Sequence, residues 1–168
     1  VINHCDQILA IKPSDTYALK NKILALEKLK KFEEAIVCCE NLLSENQDDV
    51  WALNSMGLSL NELDRYDEAI DFYDKVLNLE KKDLTALMNK AISFSHIGKI
   101  LDSIEYYDKA QKTDPNIKEL ANVKSQLLDK LGKEDEAFLA AQGVLLADMK
   151  KIIKDAINNK CSVFHQFC

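Results

Sequence analysis

The chain has 168 residues, of which 47% are hydrophobic, and it contains only 4 glycines and 2 prolines. This balance favours an all-helical protein with a substantial core, because sheet proteins need more turn residues. The formal net charge of −6 argues against binding of nucleic acid, which needs a basic face. No apolar run approaches the roughly 20 residues that span a membrane. We therefore expect neither nucleic acid nor a membrane as a partner.

The chain begins with a short predicted helix and continues in units of 34 residues. Tyr73 and Asp74, for example, recur 34 positions later as Tyr107 and Asp108. Within the unit formed by residues 50–83, apolar residues recur at helical spacing in two stretches. This pattern predicts two amphipathic helices of about 14 residues joined by a tight turn.

Small residues recur where the two helices of a unit are expected to cross. Gly57 and Ala69 hold such positions in the unit 50–83, and a larger side chain there would overpack the crossing. Gly98 and Gly132 fall between the two helices of later units. We expect each of them to end its first helix in a left-handed conformation, which glycine adopts easily.

The repeated positions resemble the tetratricopeptide repeat (TPR) family over the whole chain. Residues 50–83 carry the closest copy, with Leu53, Gly57, Ala69 and Tyr73 in place. The resemblance implies an all-α fold, a right-handed α-solenoid of antiparallel helix pairs. It divides the chain into one array, with the second helix of a partial repeat at 1–15, full repeats at 16–49, 50–83, 84–117 and 118–151, and a C-terminal capping helix at 152–168.

The same resemblance implies that the first helix of each unit lines a concave groove. The expected function is a protein-interaction scaffold that binds a peptide or an amphipathic helix of a partner protein in that groove. For Leu24, Leu58 and Ile92, packing between neighbouring units is an open alternative. The candidate groove residues are Tyr17, Lys20, Asn21, Leu24, Trp51, Asn54, Leu58, Met88, Asn89 and Ile92.

Two other functions stay open at this point. One is a structural module that forms homo-oligomers through the C-terminal helix, and the other is the recruitment domain of a larger enzyme. The chain contains no Gly-rich phosphate loop, no GxSxG and no HExxH, so we expect no enzyme activity and no cofactor. The two-carboxylate clamp of some family members is also absent, since Leu24, Ser55 and Thr85 stand at clamp positions.

The five cysteines form no CxxC pair, which indicates free thiols in a reducing, cytoplasmic setting. Cys39 is predicted to pack in the core and Cys38 to be partly exposed. Cys161, His165 and Cys168 share one face of the predicted terminal helix. We interpret them as part of an apolar face and expect no metal, because structural zinc sites use four ligands, usually in short CxxC pairs.

Overall fold

The computed structural model describes residues 1–158 as a succession of α-helices joined by short turns. Each helix packs against the next, so that successive antiparallel pairs build a right-handed α-solenoid, as predicted. None of the helices in this part of the chain combines the length and the apolar character that crossing a membrane requires. The helices are α1 Ile2–Ile11, α2 Thr16–Lys28, α3 Phe32–Glu45, α4 Val50–Glu62, α5 Tyr66–Leu79, α6 Leu84–His96, α7 Ile100–Thr113, α8 Glu119–Asp129, α9 Glu134–Ala141 and α10 Leu146–Asn158.

Aspartates at equivalent positions cap the N-termini of α2, α4 and α6, which are the first helices of three successive pairs. The carboxylates of Asp15, Asp49 and Asp83 accept hydrogen bonds of 3.0, 3.0 and 2.7 Å from the backbone N–H groups three residues ahead. These bonds satisfy donors that the first helical turn leaves unpaired. Lys118 stands before α8 and makes no side-chain capping bond, so the fourth pair begins without this device.

The turn inside each pair places one residue in the left-handed region. Gly98 and Gly132 have φ angles of 79° and 68°, as predicted. Lys30 and Asp64 occupy the equivalent positions of the earlier pairs, with φ angles of 57° and 58°. A left-handed residue is therefore required by this turn in all four pairs, and two of them use a side chain that tolerates it less well than glycine.

The two helices of the second pair approach closely at Gly57. A Cβ atom placed there would lie 2.5 Å from Cε1 of Tyr73, and Tyr73 is fully buried. Ala69 is fully buried as well. The predicted crossing of small residues is thus present, and the tyrosine ring fills the space that the missing side chain leaves.

Ion pairs between successive repeats explain why Asp74 and Asp108 are part of the repeated pattern. Each pairs with a lysine 16 residues further along: Lys90 contacts Asp74, and Lys124 lies 2.6 Å from Asp108. The partial repeat carries a third pair of the same kind, between Asp6 and Lys22 at 2.6 Å. In the second full repeat the equivalent lysine position holds Met56.

The end of the described chain differs from the sequence prediction. α9 ends at Ala141 after 8 residues, and α10 begins at Leu146 rather than at residue 152. Gly143, with a φ angle of 82°, lies in the turn that separates the two helices. The Leu146 N–H donates a 2.6 Å hydrogen bond to the Asp108 carboxylate, which fixes the start of α10 earlier than the 34-residue spacing indicates.

Two predictions on cysteine residues have different outcomes. Cys39 is buried as predicted, whereas the prediction for Cys38 is wrong, because only 6% of it is exposed. It lies beside Asp6 and Lys22, and burial is the main cause of the raised pKa of its thiol. Cys161, His165 and Cys168 lie outside the described residues, so the interpretation of that face stays a prediction.

A groove between α4 and α6

Two adjoining clefts run along the first helices of the second and third pairs. One has a volume of about 460 Å³ and reaches from Leu58 to Trp51 and Asp83. The other, of about 280 Å³, reaches from Leu58 to Glu62 and His96. Leu58 and Asn89 line both clefts. We therefore treat the two clefts as one surface, the α4–α6 groove.

Trp51 and Leu58 supply the apolar surface of this groove. Both are half-buried, and Trp51 packs with its inner side against the core of the first repeats. The ammonium group of Lys20 lies 5.1 Å from the centre of the Trp51 ring and 2.9 Å from the Asp49 carboxylate. A cation over the face of the indole, itself held by an ion pair, stabilises the ring in this position.

Lys20 and Asn54 occupy equivalent positions and both reach the capping aspartate of the next repeat. The Asn54 amide donates to Asp83 at 3.3 Å, as Lys20 does to Asp49 at 3.3 Å. These two predicted ligand-binding residues therefore also join neighbouring repeats. Asn54 Oδ1 is buried and has no hydrogen-bond partner in the described part of the chain.

The remaining predicted residues lie in several environments. Tyr17 is 78% exposed and Leu24 is 45% exposed, and neither lines the α4–α6 groove. The Asn21 amide donates to the Tyr17 carbonyl at 2.8 Å. Met88 and Ile92 pack against the core of the later repeats, and Ile92 also lines the groove. The structure thus brings together Trp51, Asn54, Leu58, Asn89 and Ile92 in the groove lining, which includes neither Tyr17 nor Leu24.

An aromatic pair closes one end of the groove. Tyr66 and His96 stack with ring centres 4.6 Å apart and planes inclined by 7°. The Tyr66 hydroxyl donates to Asp64 at 2.6 Å, and this hydrogen bond is the main cause of the raised pKa of Tyr66. Tyr66 was not among the predicted groove residues, because it begins the second helix of its pair and only the first helices were expected to line the groove. Its aromatic character next to the turn was the available signal.

The groove is acidic. Its lining carries the carboxylates of Glu62, Asp64 and Asp83 and no lysine or arginine. Arg65 stands next to Asp64 in the chain but donates to both oxygens of Glu68, at 2.7 and 2.6 Å. A ligand that enters this groove therefore meets acceptors and negative charge, with aromatic and aliphatic surface between them.

Comparison with known proteins identifies the family. The model of the Psidin N-terminal TPR repeats region matches residues 1–99. Because this match spans more than half of the chain, the protein belongs to this family of tetratricopeptide repeat proteins. No curated protein sequence matches the chain.

Solved structures share the fold at low sequence identity. The crystal structure of MamA is 18% identical, with 89% of this chain and 88% of that chain covered and a TM-score of 0.80. A tetratricopeptide repeat protein from Parabacteroides merdae is 23% identical, with coverages of 85% and 56% and a TM-score of 0.71. The first TPR of Spaghetti (RPAP3), bound to the HSP90 peptide SRMEEVD, is 17% identical, with coverages of 69% and 92% and a TM-score of 0.65.

Proposed function

We propose that this protein is a non-catalytic interaction module that holds a peptide segment of a partner protein in the α4–α6 groove. The observation that carries the proposal is a cleft in which the apolar surface of Trp51 and Leu58 and the amide side chains of Asn54 and Asn89 line one cavity. Aromatic and aliphatic anchors contribute most of the binding energy in such grooves. Amide groups can bond both the N–H and the C=O of an extended backbone.

The size of the groove suits a short segment. Trp51 and Glu62 lie eleven positions apart on α4, which corresponds to about 16 Å along a helix axis. An extended peptide covers that distance with about five residues. The RPAP3 domain, which has the same fold, is bound to a seven-residue peptide, and this supports a ligand of similar length here.

The experiment removes the two apolar anchors together. Peptides are first selected from a random displayed library on the wild-type protein, and their affinity is then measured by fluorescence anisotropy of the labelled peptide. The double variant Trp51→Ala/Leu58→Ala should weaken binding at least about 100-fold, because truncating buried anchors typically costs 2 kcal/mol or more each. Circular dichroism must show that the helix content is kept.

A matched control uses the other face of the array. Phe72 and Leu79 lie on α5 and line a separate cleft. The variant Phe72→Ala/Leu79→Ala removes the same kind of side chains outside the groove and should leave the peptide affinity unchanged. Equal losses in the two double variants, or full affinity in the Trp51/Leu58 variant, would place the binding surface elsewhere.

A second candidate function is self-association through α10. Ile157 is 69% exposed, whereas Met149 and Ala156 on the same helix are buried against the array. The exposed isoleucine extends an apolar face that a second copy of the chain can cover. Light scattering over a concentration series tests this: Ile157→Asp should lower the mass of any oligomer, and a monomer mass at every concentration removes the idea.

A further inference from the structure

We propose that the segment bound by the groove carries a lysine or arginine side chain, held by Glu62 and Asp64, a few residues away from its apolar anchor. This inference rests on the proposed function and adds the chemical class of the partner. It concerns the end of the α4–α6 groove that the Tyr66–His96 pair closes.

The end of the groove next to Tyr66 and His96 carries negative charge that no cation neutralises in the described part of the chain. Glu62 is exposed and makes no hydrogen bond or ion pair with any described residue. Asp64 is also exposed, and only its Oδ1 is engaged, by the Tyr66 hydroxyl. The third carboxylate, Asp83, already accepts bonds from Ala86 and Asn54. Two carboxylates are therefore free to bind a cation, and both lie at the same end.

Arg65 and Lys20, two cations next to the groove, are already bound to carboxylates outside its lining. Arg65 holds Glu68 with two hydrogen bonds, and Lys20 holds Asp49 at the opposite end of the groove. Charge complementarity consequently favours a basic ligand and disfavours an acidic one, since like charges facing each other across an interface are costly. The stacked rings of Tyr66 and His96 add aromatic surface, over which a guanidinium or ammonium group binds favourably.

The geometry sets the spacing between anchor and cation. Glu62 lies four positions from Leu58 and eleven from Trp51 on α4, or about 6 and 16 Å along the helix axis. An extended peptide spans these distances with about two and five residues. A basic residue two to five positions from the apolar anchor can thus reach the carboxylates while the anchor rests on Trp51 or Leu58.

The experiment uses synthetic decapeptide mixtures with one fixed leucine as anchor. A single position two, three, four or five residues away is fixed as Lys, Arg, Glu or Ser, and the others are mixed. Fluorescence anisotropy gives the affinity of each mixture. Mixtures with Lys or Arg should bind about 10-fold more tightly than those with Glu, in the range expected for partly exposed ion pairs. The difference should shrink at high salt, where such charges are screened.

Charge-neutral variants locate the effect. Glu62→Gln/Asp64→Asn keeps side-chain size, and asparagine tolerates the left-handed backbone of residue 64. This variant should lose the preference for Lys and Arg. The control Asp71→Asn/Glu80→Gln removes two exposed carboxylates of the α5 region that do not line the groove, and it should keep the preference.

The outcomes separate this inference from the proposed function. Binding that depends on Trp51 and Leu58 but prefers Glu, or shows no charge preference, overturns the basic-ligand inference and leaves the proposed function standing. A preference for Lys or Arg that survives in Glu62→Gln/Asp64→Asn also overturns it. If no mixture binds, and no displayed library yields a ligand, both the inference and the proposed function are wrong.

Discussion

The buried ion pair between α7 and α8 allows a quantitative test of how the repeats are joined. The side chain of Lys124 is fully buried, and its ammonium lies 2.6 Å from Asp108 and 2.7 Å from Gln111. The second oxygen of Asp108 accepts the Leu146 N–H at 2.6 Å. Asp108→Ala removes two of these contacts and leaves a buried ammonium with one neutral partner. We expect a loss of about 3–5 kcal/mol, the usual consequence of breaking a buried pair from one side.

The equivalent pair near the start of the chain supplies the matched control. Lys22 and Asp6 have the same spacing and distance, but the side chain of Asp6 is 48% exposed. Asp6→Ala should therefore cost at most about 1 kcal/mol, as exposed pairs do. Because the two pairs hold equivalent positions, the difference between the variants reports the burial of the Asp108–Lys124 pair together with the additional bond from Leu146 to Asp108.

Native-state hydrogen exchange is the appropriate assay, because repeat arrays open locally and a single unfolding midpoint averages over the repeats. Asp108→Ala should accelerate exchange throughout α8 and α10, while Asp6→Ala should affect only α1 and α2. The double variant Asp108→Leu/Lys124→Met replaces the buried pair with apolar side chains. Methionine already occupies the equivalent lysine position in the second full repeat, at Met56. This variant should therefore recover part of the lost stability. Equal losses in Asp108→Ala and Asp6→Ala would refute the reasoning.

Three further predictions concern single residues. Gly57→Ala should lower the free energy of unfolding by about 1–3 kcal/mol in urea titrations, although alanine favours helices, because the new Cβ overlaps the Tyr73 ring; an unchanged midpoint would contradict this. Burial raises the pKa of Glu27 above its ordinary 4.5. The folded protein is therefore destabilised at pH values at which the Glu27 carboxyl is ionised, and not at pH values at which it is protonated. Glu27→Gln should accordingly stabilise the protein near pH 7 but not near pH 4. Burial also raises the pKa of Cys39 to about 12, so peptide mass spectrometry should find its alkylation near pH 8 much slower in the folded protein than in urea.

The period of the sequence was sufficient to predict the fold. Residues that repeat every 34 positions must meet the same neighbours in each unit, and Gly57 against Tyr73 shows this directly. The left-handed turns at Gly98 and Gly132 were predictable for the same local reason. These features depend on contacts within one helix pair, which the spacing of residues along the chain determines.

Contacts between repeats were harder to predict. The engagement of Lys20 and Asn54 by the capping aspartates of the next repeat depends on how neighbouring pairs are oriented, which the sequence pattern does not specify. The burial of Cys38 beside the Lys22–Asp6 pair has the same origin. At the end of the described chain, Asp108 contacts both Lys124 and Leu146, and α10 begins earlier than the 34-residue spacing predicts.

The central claim is that a peptide occupies the groove beside Trp51, and the chain offers a direct probe because it contains a single tryptophan. A library-selected peptide without tryptophan is titrated into the wild-type protein while calorimetry and Trp51 emission are recorded in parallel. We predict a blue shift of the emission that saturates with the same Kd as the heat of binding. A peptide that binds by calorimetry while the Trp51 emission stays unchanged would contradict the account.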